Sequence, residues 1–396
     1  MNSKHRLVLM LVWVITGAAY AKPYIPTDEN QILERLPEQL FKSSNSLKIK
    51  ALRNQLKTGP EDWSSASQLA QHYIELAQSQ ADPRYMGYAQ ALLKPWWEVP
   101  QPSTQALILR AMIRQNAHDF TGAVEDLEQI LKVQPAHSQA NLIKATIATV
   151  QGDYEIALQH CQRLMRRSSM VLALACQSTP ASLSGKAETS YRLLHQILLI
   201  NPSLSKKEKV WAWAALAEIA WRSGKFDAAD EHFQTAMQIS AKDRYLRRVY
   251  ADFLLQQHRP TEVINLIGSD TNSDALLLRL AMAEQMTHSE DLTEHLAVLK
   301  ERFKANRKRG STLHQGDEAR FKLHLVNQPQ AALQLARQNW QVQRESSDTY
   351  ILLQSAIAAN DVWTVQDIKH WLAQKGTEDV LITKMLTAWE DKGYEI

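Results

Sequence analysis

Cys161 and Cys176 are the only thiols in the 396-residue chain. They stand outside any C-x2-C spacing and have no histidine at ligand spacing, so they do not form a zinc pattern. Their chemistry is either that of a disulfide or that of two small core residues. The histidines are scattered. His288 and His295 fall two turns apart on a helical stretch, too far for one shared ion. The run "RFKANRKRG", Arg302–Gly310, holds five bases in eight residues. It suits an anionic partner or phospholipid head groups, or equally the last turn of a helix, where bases offset the C-terminal dipole and Gly310 caps. Trp96 and Trp97 follow Pro95, and Trp211, Trp213 and Trp221 share one stretch. Such side chains serve as core or as anchors for a partner. There is no G-x-S-x-G, phosphate loop, H-E-x-x-H or readable pair of carboxylates, so no enzyme, cofactor or metal is expected.

The elements that position these residues announce themselves by repetition. "HDFTGAVEDL" from His118, "GDYEIALQHC" from Gly152 and "GKFDAADEHF" from Gly224 share one shape. Each has a turn-like start, an aromatic third, an alanine sixth and a bulky or sulfur residue tenth. The register extends over three 34-residue units, Thr104–His137, Ser138–Val171 and Val210–Asp243. Small residues recur at Ala111, Ala145 and Ala217, and again at Ala123, Ala157 and Ala229. Leu127, Cys161 and Phe233 fill the next slot, and Pro135 closes the first unit. The 12 glycines are about 3% of the chain, well below the usual ~7%, and alanine, leucine and glutamine abound. Tight hairpins and phosphate loops consume glycine; this composition predicts an almost purely helical protein.

The pattern resembles the tetratricopeptide repeat, W-x2-L-G-x2-Y, then A-x3-F, then P, at a 34-residue period. The Val210 unit fits best, through Trp213, Leu216, Ala217, Gly224, Phe226, Ala229, Phe233 and Ala236. The resemblance implies an all-α solenoid of helix pairs, with alanine where backbones cross and large side chains between pairs. It also implies that first helices line a concave surface. Trp211, Glu218, Trp221 and Arg222, with Tyr245, Arg248 and Asp252 on the following first helix, are then candidates for contact with a partner. Some members of the family clamp a carboxylate there with Lys, Asn and Arg, but the matching faces here carry Ile108 and Met112, then Leu142 and Thr146. Cys161 and Cys176 fall on helices that touch in such a solenoid, which favours the disulfide. A solenoid is expected to offer grooves rather than enclosed pockets.

Looser units run through the remainder: Leu69–Trp97, Met170–Pro202, Arg247–Gly268 with a short second helix, a pair from Asp274, and two more before a capping helix at Asp379–Trp389. Eight or nine pairs are expected across residues 63–396, preceded by a lead segment at 22–62 with one helix near Ser46–Leu56. "DPRYMGYAQALLKPWW" and "ARQNWQVQRESSD" are similar to a group of exported tetratricopeptide-repeat proteins of Proteobacteria. Residues 1–21 read as a cleaved signal peptide, with Lys4 and Arg6, an apolar run from Leu7 to Ile15, and Ala19 and Ala21 flanking Tyr20. Without them 43 bases face 42 acids, down from 45 against 42, a balance unlike that of nucleic-acid binders. The expectation is a periplasmic scaffold or assembly factor that binds a protein or peptide on its concave face, without nucleic acid or stable membrane insertion. The alternative is an accessory, ligand- or metal-handling component of an envelope transport system.

Overall fold

The structure, a computed structural model, describes residues 44–80, 84–165, 168–201, 204–308 and 314–392. The signal-peptide reading, half of the lead segment and the Gly310 cap lie outside the described residues. Residues 1–50 and 51–396 form separate units, and the architecture below is that of the second. Among the described residues every regular element is a helix.

Helix α1 (Ser44–Thr58) spans the boundary between the units. Nine pairs follow: α2 (Trp63–Gln80) with α3 (Arg84–Trp97), α4 (Thr104–Asn116) with α5 (Phe120–Val133), α6 (Ser138–Val150) with α7 (Tyr154–Leu164), α8 (Met170–Ser182) with α9 (Ala187–Ile200), α10 (Lys206–Arg222) with α11 (Phe226–Ile239), α12 (Arg244–Gln256) with α13 (Pro260–Ile267), α14 (Asp274–Thr287) with α15 (Leu292–Lys308), α16 (Gln315–Arg320) with α17 (Pro329–Val342), and α18 (Ser346–Ala358) with α19 (Val362–Lys375). A π-helical turn, Phe321–Leu325, extends α16, and α20 (Val380–Glu390) comes last. No helix among the described residues is long and apolar enough to cross a membrane. The chain folds as a tetratricopeptide-type α-solenoid.

The repeat slots do what their side chains allow. Ala111, Ala123, Ala157, Ala217 and Ala229 are wholly buried, as are Leu127 and Phe233. A methyl at each crossing lets two backbones approach, and the larger side chains fill the space left between pairs. Each turn needs one residue in the left-handed region, because the first helix must stop and the second start within three residues. Gly152 and Gly224 hold that slot at φ 78° and 74°; His118, His258 and Asn360 hold it at 55–60°. Ser103, Asp119, Ser205 and Asp243 then cap helix N-termini, each accepting from a backbone N–H two or three residues on.

The superhelix closes on itself. The last two pairs and α20 lie across the turns of three central pairs. Arg344 N donates to Val150 O at 2.7 Å, and Trp371 meets Tyr154 edge-on with ring centres 6.4 Å apart. Thr377 Oγ1 donates to Leu183 O at 3.1 Å, and Ala187 N to Glu378 Oε2 at 3.2 Å. Lys384 Nζ stands 6.0 Å from the Phe226 ring. Tyr154 and Leu183 belong to the same apolar cluster as Ile351, Val365, Ile368, Trp371 and Ile382. The segment expected as a terminal cap is therefore a strap across the middle of the chain.

Candidate functional site

The closure frames a partly open chamber of about 560 Å³. Its walls come from first helices and the turns that flank them: α10 gives Glu218, Trp221 and Arg222; α12 gives Tyr245, Arg248 and Asp252; α14 gives Met282 and Met286. The returning segment supplies Glu345, Ser346, Tyr350 and Asp379, with Arg320 beside them. The expected groove is narrowed by the strap into a deep, partly open cavity, because residues separated by more than a hundred positions meet around it.

Six of the seven candidate residues line this chamber: Glu218, Trp221, Arg222, Tyr245, Arg248 and Asp252. Trp211 does not. It is partly buried against Ala145, Cys161, Leu164, Ala173 and Cys176. At 1.5 Å per residue it stands about 10 Å along α10 from Glu218, level with the core of the preceding pairs.

An ion-pair ladder fixes the floor of the chamber. Arg279 of α14 is fully buried. Its Nε and Nη2 donate to Asp252 at 2.8 and 3.0 Å, and its Nη1 to Asp317 Oδ1 at 2.6 Å. Arg320 Nη1 lies 3.6 Å from Asp317, and its Nη2 donates to Ser347 O at 2.7 Å. Three successive first helices are thereby tied by ion pairs, and the bond to Ser347 O adds the fourth. Burial raises the Asp317 carboxyl, but Arg279, Arg320 and Arg248 overcome it and hold the group well below the usual carboxylate range.

The carboxyls nearer the strap behave differently. Burial pushes Glu345 up to about 7, with Asp348 and Glu218 adding repulsion and Arg248 and Arg222 opposing it. Burial likewise raises Glu218, against Arg222 and a hydrogen bond from Tyr245. That bond, Tyr245 Oη to Glu218 Oε1, is 2.9 Å. Tyr245 is 46% exposed, yet burial drives its hydroxyl well above the ordinary value. The two facts agree if its exposed surface faces the chamber rather than bulk solvent. Trp221 packs edge-on against Phe253 and donates Nε1 to Gln256 Oε1 at 2.9 Å.

Other sequence signals resolve locally. Cys161 and Cys176 are bonded, with Cα atoms 5.5 Å apart. His118, His258 and His288 occupy left-handed positions, and His295 pairs with Glu284 at 2.9 Å. Among the described residues no group of three or more His, Cys, Asp or Glu is placed to hold a metal ion. In the basic run, Arg302 pairs with Asp274 at 3.1 Å, Lys304 with Glu301 at 3.5 Å, and Arg307 with Glu318. Glu345, Ser346, Tyr350 and Asp379 carry no local signal of membership in the site; only the strap brings them there.

Residues 108–169 match the model of the family described as tetratricopeptide repeat. No curated protein matches the sequence. The chain resembles the Cut9–Hcn1 hetero-tetramer of the APC/C, with a TM-score of 0.50 at 11% identity over 89% of this chain and 68% of that one. It is also similar to yeast Tom70, at 0.30 and 11% over 87% and 91%, and to the TPR domain of P58(IPK), at 0.21 and 11% over 79% and 92%. At this identity the first likeness speaks for the fold alone, and the other two carry no argument.

Proposed function

We propose that this chain is a periplasmic scaffold, freed of residues 1–21 on export, that takes a short segment of a partner polypeptide into its chamber. The fold is of a type used for protein–protein interaction. One observation carries the proposal: six inward residues of two successive first helices converge with the strap on a single space of about 560 Å³. That volume lies within the ~300–1,000 Å³ range of ligand sites. It is too small for a packed helix about 10 Å across, so an extended segment or a few side chains would fill it. Trp221 and Tyr350 give aromatic anchors, the residue type that dominates binding energy at interfaces.

The test is capture of periplasmic partners on immobilised mature protein. Trp221→Ala and Tyr350→Ala should each weaken capture roughly thirtyfold, the equivalent of about 2 kcal/mol for a central anchor. The exposed outer change Gln162→Ala should leave it unaltered. Circular dichroism must show unchanged helicity in all three. Capture that ignores both aromatic changes would remove the chamber from the function.

A further inference from the structure

We propose that the chamber is built to receive an anionic group, a carboxylate or a phosphate, between Arg222, Arg248 and Ser346; this rests on the chamber being the binding site. The wall has donors without acceptors. Arg222 Nε and Ser346 Oγ are buried and have no hydrogen-bond partner among the described residues. Arg222 as a whole is only 7% exposed. Its other nitrogens are engaged, with Nη2 donating to Ser182 Oγ at 2.9 Å and Nη1 lying 3.9 Å from Glu218. The Arg248 guanidinium has no acceptor in hydrogen-bond or ion-pair range among the described residues. It stands 5.2 Å from the centre of the Tyr245 ring instead.

The acids of the same wall are already spoken for. Asp252 accepts from Arg279. Glu218 accepts from Tyr245, Asp379 from the N–H groups of Leu381 and Ile382, and Glu345 from that of Asp348. Arg247 on the same helix as Arg248 is engaged, donating to Asp270 and to the carbonyls of Leu266 and Ile267. Of the four buried side-chain atoms without a hydrogen-bond partner among the described residues, Arg222 Nε and Ser346 Oγ belong to residues of the chamber wall, and Ser355 Oγ and Trp371 Nε1 lie outside it. A buried donor without a partner is destabilising, and an acceptor brought from outside relieves it. An anion on two guanidinium groups and a hydroxyl forms the strong, charge-assisted class of hydrogen bond. Burial pushes the Glu345 carboxyl up to about 7 and shifts Glu218 in the same direction, which lessens the repulsion such a ligand meets. Trp221, Tyr350, Met282 and Met286 line the same chamber and suit an apolar or aromatic body attached to the acid group.

Titration calorimetry of the full mature protein tests this with N-acetylphenylalanine, the neutral N-acetylphenylalaninamide of the same size, and the smaller phenyl phosphate. At least one acid should bind ten times more tightly than the amide. Preference between carboxylate and phosphate identifies the source. Arg248→Gln should remove that advantage. Because Arg248 makes no hydrogen bond or ion pair among the described residues, the variant should fold; Ser346→Ala provides a second, smaller loss. Equal binding of acid and amide, absence of acid binding at millimolar concentration, or indifference to Arg248→Gln overturns the proposal. Partner capture that depends on Trp221 but not on Arg248 would overturn it while leaving the chamber as the binding site. Capture that depends on neither would remove both readings.

Discussion

Gly152 and Gly224 occupy the same slot in two units, and substituting each by alanine isolates the strength of the strap. Their φ angles, 78° and 74°, are nearly equal. Alanine therefore suffers the same left-handed strain at both, about 1 kcal/mol. The surroundings differ. A methyl at 152 would stand 2.8 Å from Trp371 Cζ2 and 3.6 Å from Arg344 Cβ, whereas one at 224 would meet the Val380 methyls at 3.5 and 3.6 Å, ordinary contact. Trp371 is 8% exposed and sits edge-on to Trp340 at 5.2 Å as well as to Tyr154. It cannot swing away without disturbing both. Overpacking of this kind typically destabilises by ~1–3 kcal/mol. Urea denaturation followed by circular dichroism should then show Gly224→Ala losing about 1 kcal/mol and Gly152→Ala ~2–4 kcal/mol. In a Trp371→Ala background Gly152→Ala should cost less than it does in the parent, as expected for residues in contact. His118 fills the equivalent slot one unit earlier, so the slot itself admits a side chain. Equal losses for the two alanine variants would mean that α19 does not rest on the turn at Gly152, and the closure argument would fall.

Arg279→Ala should destabilise the fold by ~3–5 kcal/mol, since it strips Asp252 and Asp317 of a buried partner; a loss below about 1 kcal/mol in the same assay refutes the ladder. Glu345 is raised to about 7 in the folded chain, so its stabilising contribution is full below the ordinary value near 4.5 and disappears as pH rises through 7. Glu345→Gln should therefore gain melting temperature relative to the parent between pH 5 and 8, by at most ~3 kcal/mol in stability, and parallel profiles would contradict that displacement. Reducing Cys161–Cys176, whose loop spans 15 residues, should lower stability by ~3 kcal/mol in the chain-entropy account; a non-reducing peptide map of the purified protein should recover the linked pair. Ala229→Trp should lower the melting midpoint, because Ala229 is fully buried at a helix crossing and overpacking there amounts to ~1–3 kcal/mol or more.

The pairs themselves were legible because their determinants are local. Ala217, Gly224, Phe226, Ala229 and Phe233 lie within 17 residues of one another, and their spacing states which faces meet. The inward faces of α10 and α12 followed from the same register. Trp211 shows its limit: helical phase gives the side on which a residue lies, while depth along the axis depends on the neighbours. Glu345, Ser346 and Asp379 were illegible for a different reason. Their partners stand over a hundred residues away, and no periodicity records which turns a later pair will rest on. Gly152 held part of that information, as the one left-handed glycine whose missing Cβ is occupied by an indole, but only the folded chain shows it.

The strap also changes how this protein can be made and shortened. An open array of repeats tolerates loss of its last member, since each unit answers only to its neighbours. Here the hydrogen bonds Ala187–Glu378 and Thr377–Leu183 join residues 191 and 194 positions apart. A chain stopped before Thr377 would therefore bare the middle of the molecule, not its end. The same holds for a chain still being synthesised: its central turns remain uncovered until nearly the last residue emerges, and contacts of such long sequence separation form slowly. That interval is when exposed apolar turns are open to aggregation, and the C-terminal residues set its length.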